Sequence, residues 1–288
     1  MSPKAEPESG ARTVVALLHP GAMGARIGAE LVRAGHEVRW LDAGRSSATR
    51  RRADEAGLTS TGDVAALLNG TQVVVSVCPP QGALDVAGVV AGGGFSGTYV
   101  DANPESAATL SEITATVQRA GATFVDGGIV GPPPRDGGLT HFYLAGDQSA
   151  ACTVAGLFSG TDVTPMIVGT EVGAASAAKQ AYALFNKGRI VLAALAADLA
   201  ESHGVLDVLA AEGERAGADI LAELPAVRDG LAEVGWRWGP EFEEIAASLV
   251  AAGADPALAR ACVHLLGRAA GSAEEVRRPS TQAQGALG

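Results

Sequence analysis

The stretch Leu18-His19-Pro20-Gly21-Ala22-Met23-Gly24 decides the fold, because it joins the apolar run 14–18 to a helical pattern. A glycine turn between a strand and a helix is where dinucleotide-binding folds hold a pyrophosphate. Gly21 lets the backbone approach the phosphates, Gly24 lets the helix pack closely on the strand, and the free amides at the helix start attract negative charge. The sequence therefore predicts that residues 19–24 bind a dinucleotide, although His19 stands where the first glycine of the pattern is usual.

The predicted adenosine end carries both an acid and a basic cluster. Asp42 ends the second apolar run, 18 residues after Gly24, close to the spacing at which an acidic residue meets the free ribose hydroxyl of NAD. Arg45 and Ser46 follow, with three further arginines at 50–52, and they suit the 2′-phosphate of NADP through charge-assisted hydrogen bonds. Arginines at 50–52 alone are also typical of a solvated helix face. We predict NADP(H) as the cofactor, with NAD(H) as the alternative.

Composition narrows the class of protein. The 288 residues allow one large or two ordinary domains, and an apolar share of 47% is ample for a buried core. The net charge of −11 gives nucleic-acid binding little support. Three scattered cysteines and five isolated histidines show no disulfide pattern or metal-ligand spacing. Because no run approaches the roughly 18 apolar residues that span a bilayer, we expect a cytoplasmic protein without a membrane partner.

The arrangement of strands and helices predicts an α/β protein. Predicted strands occupy 14–18, 38–41, 73–78, 98–102, 123–126, 142–145 and 163–168. Continuous β-branched runs such as 73–75 indicate strands covered on both faces, as in a parallel sheet. From Val172 onward, segments of helical period replace the strands, beginning with a long helix from Ala174 to about Ser202. We predict a Rossmann doubly wound sheet at 1–170 and an all-α domain at 171–288, joined by that interdomain helix.

Four segments make the chain resemble the β-hydroxyacid dehydrogenase superfamily, which includes 6-phosphogluconate and 3-hydroxyisobutyrate dehydrogenases and, more distantly, imine reductases. They are the turn at 19–24, Ser76-Val77-Cys78-Pro79-Pro80, the segment 126–131 with Gly138-Leu139-Thr140 behind it, and Gly173-Ala174-Ala175-Ser176-Ala177-Ala178-Lys179. The helical remainder, including 237–244, resembles a bacterial branch whose C-terminal domain has no settled function.

The resemblance implies two further sets of site residues. Cys78, Pro79 and Asn103 border the nicotinamide, whereas Gly127, Gly128 and Val130 lie on the substrate side. Asn103 also follows a predicted strand, where ligands gather at the carboxyl edge of a doubly wound sheet; a strand-ending turn is the equal alternative. Val130 stands where hydroxyacid dehydrogenases often carry a serine that binds the substrate carboxylate.

Lys179 is the candidate catalyst. It is the only charged side chain between Glu171 and Lys187, on a helix otherwise made largely of Ala, Leu, Tyr and Phe. Burial in an apolar cleft disfavours an ammonium group, which suits a general acid and base. The resemblance implies that this lysine gives a proton to a carbonyl oxygen as hydride arrives, or removes it in the reverse direction. The alternative is a lysine whose stem covers the helix and whose amine reaches solvent.

The chain departs from the family after this lysine. The family usually has an asparagine four residues on, where this sequence has Ala183. Tyr182 is the candidate second catalytic residue, because a phenol can donate to an oxygen or orient an amine; a packed core tyrosine is the alternative. Asn186, roughly 10 Å along the axis from Lys179, and Trp238 are candidate substrate contacts. Trp238 either lines the substrate cavity or packs the helical domain.

Three functions follow from these residues. The first is an NADP(H)-dependent oxidoreductase that interconverts a carbonyl and an alcohol. The second is an imine reductase or reductive aminase, favoured by Ala183, Val130 and the proline loop 132–134. Lys179 opposes it, because most imine reductases have an acid or a phenol at that place. The third is a dinucleotide-binding module without turnover, which the presence of Lys179 opposes. The apolar face of the long helix further predicts a homodimer through the helical domain.

Overall fold

The computed structural model describes residues 12–134, 139–217 and 224–277. The chain forms two compact units, Met1–Lys179 and Gln180–Gly288. The predicted division between residues 170 and 171 lies just ahead of the helix in which the first unit ends.

One mostly parallel sheet forms the centre of the first unit. Its strands are β1 (Val14–Leu18), β2 (Glu37–Leu41), β3 (Thr59–Thr61), β4 (Val73–Ser76), β5 (Thr98–Asp101), β6 (Thr123–Val130), β7 (Thr140–Gly146) and β8 (Val163–Gly169). The described sheet has eight strands in the order β3-β2-β1-β4-β5-β6-β7-β8. The order reverses between β1 and β4, so the carboxyl ends of these two strands border the crevice in which such folds bind ligands.

Helices cover both faces of this sheet. They are α1 (Ala22–Arg33), α2 (Ser47–Glu55), α3 (Val64–Leu68), α4 (Ala83–Gly92), α5 (Ala107–Arg119) and α6 (Gln148–Gly156). Successive side chains of β1 enter different cores: Val15 and Leu17 belong to one apolar cluster, and Ala16 and Leu18 to another. Because neighbouring residues of a strand point to opposite faces, the middle of the sheet is buried on both sides, whereas β8 at its edge is largely exposed. The predicted doubly wound Rossmann fold is confirmed.

The far side of the sheet differs from the predicted strand lengths. The strand predicted at 123–126 continues to Val130, because β7 runs antiparallel to it and pairs with Val125–Val130. The described strands pair in parallel everywhere else. The extension carries Gly127, Gly128 and Val130 along a buried strand rather than in a loop.

The second unit is helical, as predicted. The long helix α7 (Ala174–Ser202) begins in the first unit and continues into the second, followed by α8 (Leu206–Arg215), α9 (Leu224–Ala251) and α10 (Ala257–Arg277). The core of this unit includes Val191 of α7, Phe242 and Ile245 of α9, and Cys262 and Leu266 of α10. Within the described residues, no helix is both long enough and apolar enough to cross a bilayer.

Candidate active site at the carboxyl edge of the sheet

The turn between β1 and α1 leaves the start of the helix open. Gly21 is the N-cap of α1, and no side chain caps the helix there. A Cβ on Gly21 would meet no heavy atom within 4 Å, whereas a Cβ on Gly24 would lie 2.1 Å from the carbonyl oxygen of His19. The turn itself therefore requires Gly24, while the space at Gly21 and the uncapped amides fit a diphosphate.

Basic side chains from the β2–α2 region reach this turn. The Nε of Arg52 donates to the carbonyl of Pro20 at 3.4 Å. The Nε of Arg45 is buried and has no hydrogen-bond partner among the described residues. Burial, and then the charge of Arg45, lower the pKa of His19 from 6.5 to about 4. His19 is therefore a neutral imidazole at physiological pH, and it lies close to the guanidinium group of Arg45.

The other residues predicted to lie at the adenosine end make hydrogen bonds within the protein. Ser46 caps α2, because its hydroxyl accepts from the amide of Thr49 at 3.2 Å. The backbone carbonyl of Asp42 accepts from the amide of Arg45 at 3.1 Å and from the guanidinium of Arg50 at 3.2 Å. The structure thus brings Asp42, Arg45 and Ser46 together in one loop.

The last two residues of the turn before Gly24 have different surroundings. Ala22 is exposed at the helix start, whereas Met23 is half-buried and packs against the core cluster that contains Val15. The side chain of Met23 therefore contributes to the packing of α1 on the sheet, and any phosphate contact at this position falls to its backbone.

Asn103 ties together the ends of β4 and β5. Its Oδ1 accepts from the amide of Cys78 at 2.8 Å, and its Nδ2 donates to the hydroxyl of Ser76 at 3.3 Å. Its own amide donates to Oδ1 of Asp101 at 2.9 Å. Burial raises the pKa of the Cys78 thiol to about 12, so this thiol is protonated and is no nucleophile. Pro79 follows, exposed, at this edge.

Asp126, near the middle of β6, holds the beginning of α7. Its Oδ2 accepts from the amides of Gly173 and Ala175, both at 2.9 Å, and of Ser176 at 3.1 Å. Its Oδ1 accepts from the hydroxyl of Ser176 at 2.6 Å. Sequence reasoning missed this pair as site residues. The available signals were an acid inside an otherwise apolar strand and a serine in the first turn of the predicted long helix.

The glycines of β6 let other groups come close. A Cβ on Gly128 would lie 3.0 Å from the carbonyl oxygen of Ala175 and 3.0 Å from the Cβ of Lys179. A Cβ on Gly127 would lie 2.9 Å from the carbonyl oxygen of Asp101. Lys179 is half-buried, and its Cβ lies where a side chain on Gly128 would be tightly crowded. Val130, further along the strand, is buried and pairs with His141.

The three predicted site residues of the second unit have separate surroundings. Tyr182 is 49% exposed. Oδ1 of Asn186 accepts from Nε and from a terminal nitrogen of Arg189, at 3.3 and 3.2 Å. Nζ of Lys187 lies 5.2 Å from the centroid of the Trp238 ring and is ion-paired with Glu241. The Trp238 ring therefore has a partner within the helical unit, and the roles of Tyr182, Asn186 and Trp238 toward a substrate stay predictions.

Comparison with known proteins places the chain in a family. Residues 15–161 match the model of the NAD binding domain of 6-phosphogluconate dehydrogenase, and residues 200–268 match a domain of unknown function, DUF1932. No curated protein matches this sequence.

Solved structures share the fold at low sequence identity. The 3-hydroxyisobutyrate dehydrogenase of Mycobacterium tuberculosis, solved with L-serine, has 20% identity and a TM-score of 0.70, over 93% of this chain and 100% of that one. The 3-hydroxyisobutyrate dehydrogenase of Salmonella typhimurium has 18% identity and a TM-score of 0.71, over 90% and 95%. A reductive aminase from Aspergillus terreus, in complex with NADPH and ethyl-5-oxohexanoate, has 16% identity and a TM-score of 0.57, over 91% and 95%. With its NAD binding domain of the 6-phosphogluconate dehydrogenase type, the chain belongs to the β-hydroxyacid dehydrogenase superfamily.

Proposed function

We propose that the protein is an NADP(H)-dependent oxidoreductase that transfers hydride between nicotinamide and a small carbonyl or hydroxyl substrate, with Lys179 as the general acid and base. The observation that carries the proposal is the placement of Lys179. A helix anchored by Asp126 presents it against Gly128, on a strand that ends at the ligand-binding edge of the sheet. The family match supports the nicotinamide cofactor.

The preference for NADP(H) rests on the charge around the β1–α1 turn. A 2′-phosphate needs a cationic side chain beside the end of β2, and Arg45 is there, half-buried and close to His19. Arg50 lies in the same loop, against the carbonyl of Asp42. Guanidinium groups bind phosphates through charge-assisted hydrogen bonds. The reductive aminase of similar fold was solved with NADPH, which is compatible with this choice.

The proposed reaction gives each residue one task. The nicotinamide, when bound, supplies or accepts the hydride. The amides at the start of α1 hold the diphosphate of the dinucleotide, and Arg45 holds its 2′-phosphate. Asn103 keeps the ends of β4 and β5 together beside the nicotinamide. Lys179 holds the proton that the substrate oxygen gains on reduction, and it takes that proton back on oxidation. Tyr182, three residues after Lys179 on the same helix, donates a hydrogen bond to that oxygen and transfers no proton of its own.

Two substitutions of Lys179 test this role. Lys179→Met removes the amine, while Lys179→Arg keeps a positive charge that does not give up its proton in this pH range. We expect both variants to bind NADPH as the wild type does and to lose turnover by about 10²- to 10⁴-fold, the usual contribution of general acid catalysis. NADPH consumption over a panel of small carbonyl compounds measures turnover, and nucleotide fluorescence measures binding. Unchanged turnover in either variant contradicts the assignment.

Reduction of a C=N bond is the second candidate function. It is favoured by Val130, which is buried and has no hydroxyl for a substrate carboxylate, and by Ala183, which is buried where the family usually has an amide. A panel of cyclic imines and of ketone–amine pairs, run beside the carbonyl panel with NADPH, separates the two. Faster turnover of the imines supports this candidate, and turnover of carbonyls alone excludes it. No turnover in either panel, with cofactor binding intact, favours a binding module.

We also propose that the protein forms a homodimer through α7. Phe185, Leu192 and Leu199 recur every seven residues and are 72%, 51% and 66% exposed, so they form one apolar stripe on the helix. A stripe of this kind on a single chain marks an interface. Leu192→Glu is expected to shift the sedimenting species to a monomer. Val89→Glu, at an exposed apolar residue of α4, is the matched control and leaves the dimer intact.

A further inference from the structure

We infer that Asp126 and Ser176 are positioning residues that fix the first turn of α7 and thereby set where Lys179 meets the substrate. The inference rests on the proposed function, because it concerns the same lysine. Neither residue is placed against the substrate or the cofactor. They act through the helix that carries the catalytic group.

The carboxylate of Asp126 makes several hydrogen bonds to the start of α7. Asp126 is fully buried and accepts four hydrogen bonds from the start of α7, three from backbone amides and one from the Ser176 hydroxyl. The first amides of a helix have no acceptor within the helix. A carboxylate from a neighbouring strand therefore takes the place of a local N-cap, and its negative charge is stabilised by the helix dipole.

Strand β6 contacts α7 at two points on one face of the sheet. Asp126 and Gly128 are two residues apart, so both project to one side of the sheet. Asp126 holds the amides of the first turn, and Gly128 lies against the carbonyl of Ala175 and the Cβ of Lys179. One contact fixes the position of α7 along its axis, and the other fixes its distance from the sheet. Lys179 follows Ser176 by one helical turn, so both contacts act on it directly.

Ser176 also contacts Asn103, which lies at the strand ends proposed to border the nicotinamide. The hydroxyl of Ser176 lies 3.4 Å from the carbonyl of Asn103, in addition to its bond with Asp126. Asn103 in turn orients the amide of Cys78. Ser176 thus joins the helix that carries Lys179 to the strand ends that border the cofactor.

Four donors at one site explain why residue 126 is an aspartate. Its carboxylate offers two oxygens with lone pairs for four donors. In an Asp126→Asn variant, the side-chain amide would turn an NH₂ group toward one set of donors and lose at least one of these bonds. A misplacement of a catalytic group by about 1 Å can cost as much as a hundredfold in rate, so a modest shift of the helix start is enough to change turnover.

The test compares helix anchors that do and do not carry Lys179. Asp126→Asn is expected to lower kcat by about tenfold to a hundredfold, with the Kd for NADPH changed less than twofold. Asp147→Asn is the matched control, because Asp147 caps α6 through the amide of Ala150 at 2.8 Å and that helix carries no proposed site residue. The control is expected to leave kcat and the Kd for NADPH unchanged, because asparagine caps a helix about as well as aspartate does.

Ser176 keeps the inference testable even if Asp126→Asn fails to fold. Ser176→Ala is expected to lower kcat in the same direction, and Ser176→Thr, which keeps a hydroxyl, is expected to restore most of it. Amide hydrogen exchange at residues 173–176 should accelerate in Ser176→Ala and stay near the wild-type rate in Ser176→Thr. Turnover in Ser176→Ala equal to the wild type, or a loss confined to KM, overturns the positioning role.

Lys179→Met, assayed in parallel, separates the two proposals. If Lys179→Met abolishes turnover while Asp126→Asn and Ser176→Ala leave kcat unchanged, the positioning inference fails and the proposed function stands. If Lys179→Met leaves turnover unchanged, the proposed function itself fails.

Discussion

Two helices begin at the same edge of the sheet, and the protein treats their first amides in opposite ways. At the start of α1 no side chain caps the helix, and Arg45 and Arg52 surround the turn. At the start of α7 the carboxylate of Asp126 accepts three backbone amides and is fully buried. The first helix keeps its positive end for an anionic ligand, whereas the second uses it to fasten the helix that carries Lys179. This difference separates residues that are available to bind a ligand from residues that fix the position of a helix.

The two glycines of the β1–α1 turn give the largest expected effect on this difference. Gly24→Ala places a Cβ 2.1 Å from the carbonyl oxygen of His19, a backbone clash that we expect to cost about 1–3 kcal/mol of unfolding free energy and to abolish NADPH binding. Gly21→Ala meets no atom of the protein and has an ordinary φ of −69°. We expect it to fold with wild-type stability and to lose NADPH affinity alone. Thermal unfolding and nucleotide titration measure both effects.

A loss of stability in Gly21→Ala equal to that in Gly24→Ala would show that the space beside Gly21 is not a ligand site. Wild-type NADPH affinity in Gly21→Ala would show the same.

Arg45 tests the ligand side in finer detail. Arg45→Ala removes the half-buried side chain beside His19, so we expect the Kd for NADPH to rise about tenfold, or about 1.4 kcal/mol, with the Kd for NADH nearly unchanged. Fluorescence titration with the two nucleotides measures the ratio. Arg119→Ala, on the exposed face of α5, is the control and should alter neither constant. Equal weakening of both nucleotides would assign Arg45 to the diphosphate instead of the 2′-phosphate.

The buried acids predict a pH dependence on the protein side. Burial raises the pKa of Asp101 from 3.8 to about 7, so the folded state binds more protons than the unfolded state between these values. The free energy of unfolding therefore falls as pH rises through this window, with a limiting slope of about 1.4 kcal/mol per pH unit. Asp101→Asn removes this titration. Denaturant unfolding at pH 5 and pH 8 should show the variant gaining stability relative to the wild type at the higher pH, and a constant difference would contradict it.

The titration of His19 predicts a smaller change of stability with pH, opposite in sign to that of Asp101. Its pKa is lowered from 6.5 to about 4, so the folded state binds fewer protons than the unfolded state in this range. Stability therefore falls as pH drops from about 6.5 toward 4. His19→Gln, which stays neutral, should lose less stability than the wild type on acidification from pH 7 to pH 5. The same loss in both proteins would show that neither burial nor the charge of Arg45 lowers the pKa of His19.

Sequence reasoning reached the local features and missed the long-range ones. The turn at 19–24 and the helix bearing Lys179 were predictable because glycine placement, helical period and an isolated lysine are properties of neighbouring residues. The Asp126 anchor was not, because its partners lie 47 to 50 residues away in the sequence. Arg52 had the pattern of a solvated helix face, yet its side chain reaches Pro20. The antiparallel β7, which lengthens β6, depends on pairing between strands that no local pattern records.

The first test of dinucleotide binding at the open turn of α1 is a titration of the wild-type protein with NADPH and with NADH. Fluorescence reports binding, and both titrations use the same low salt concentration. We predict that NADPH binds at least tenfold more tightly than NADH, a difference of about 1.4 kcal/mol, through this turn and the arginine beside it. Failure of both nucleotides to bind would contradict the proposed function, since the uncapped helix start would then hold no ligand.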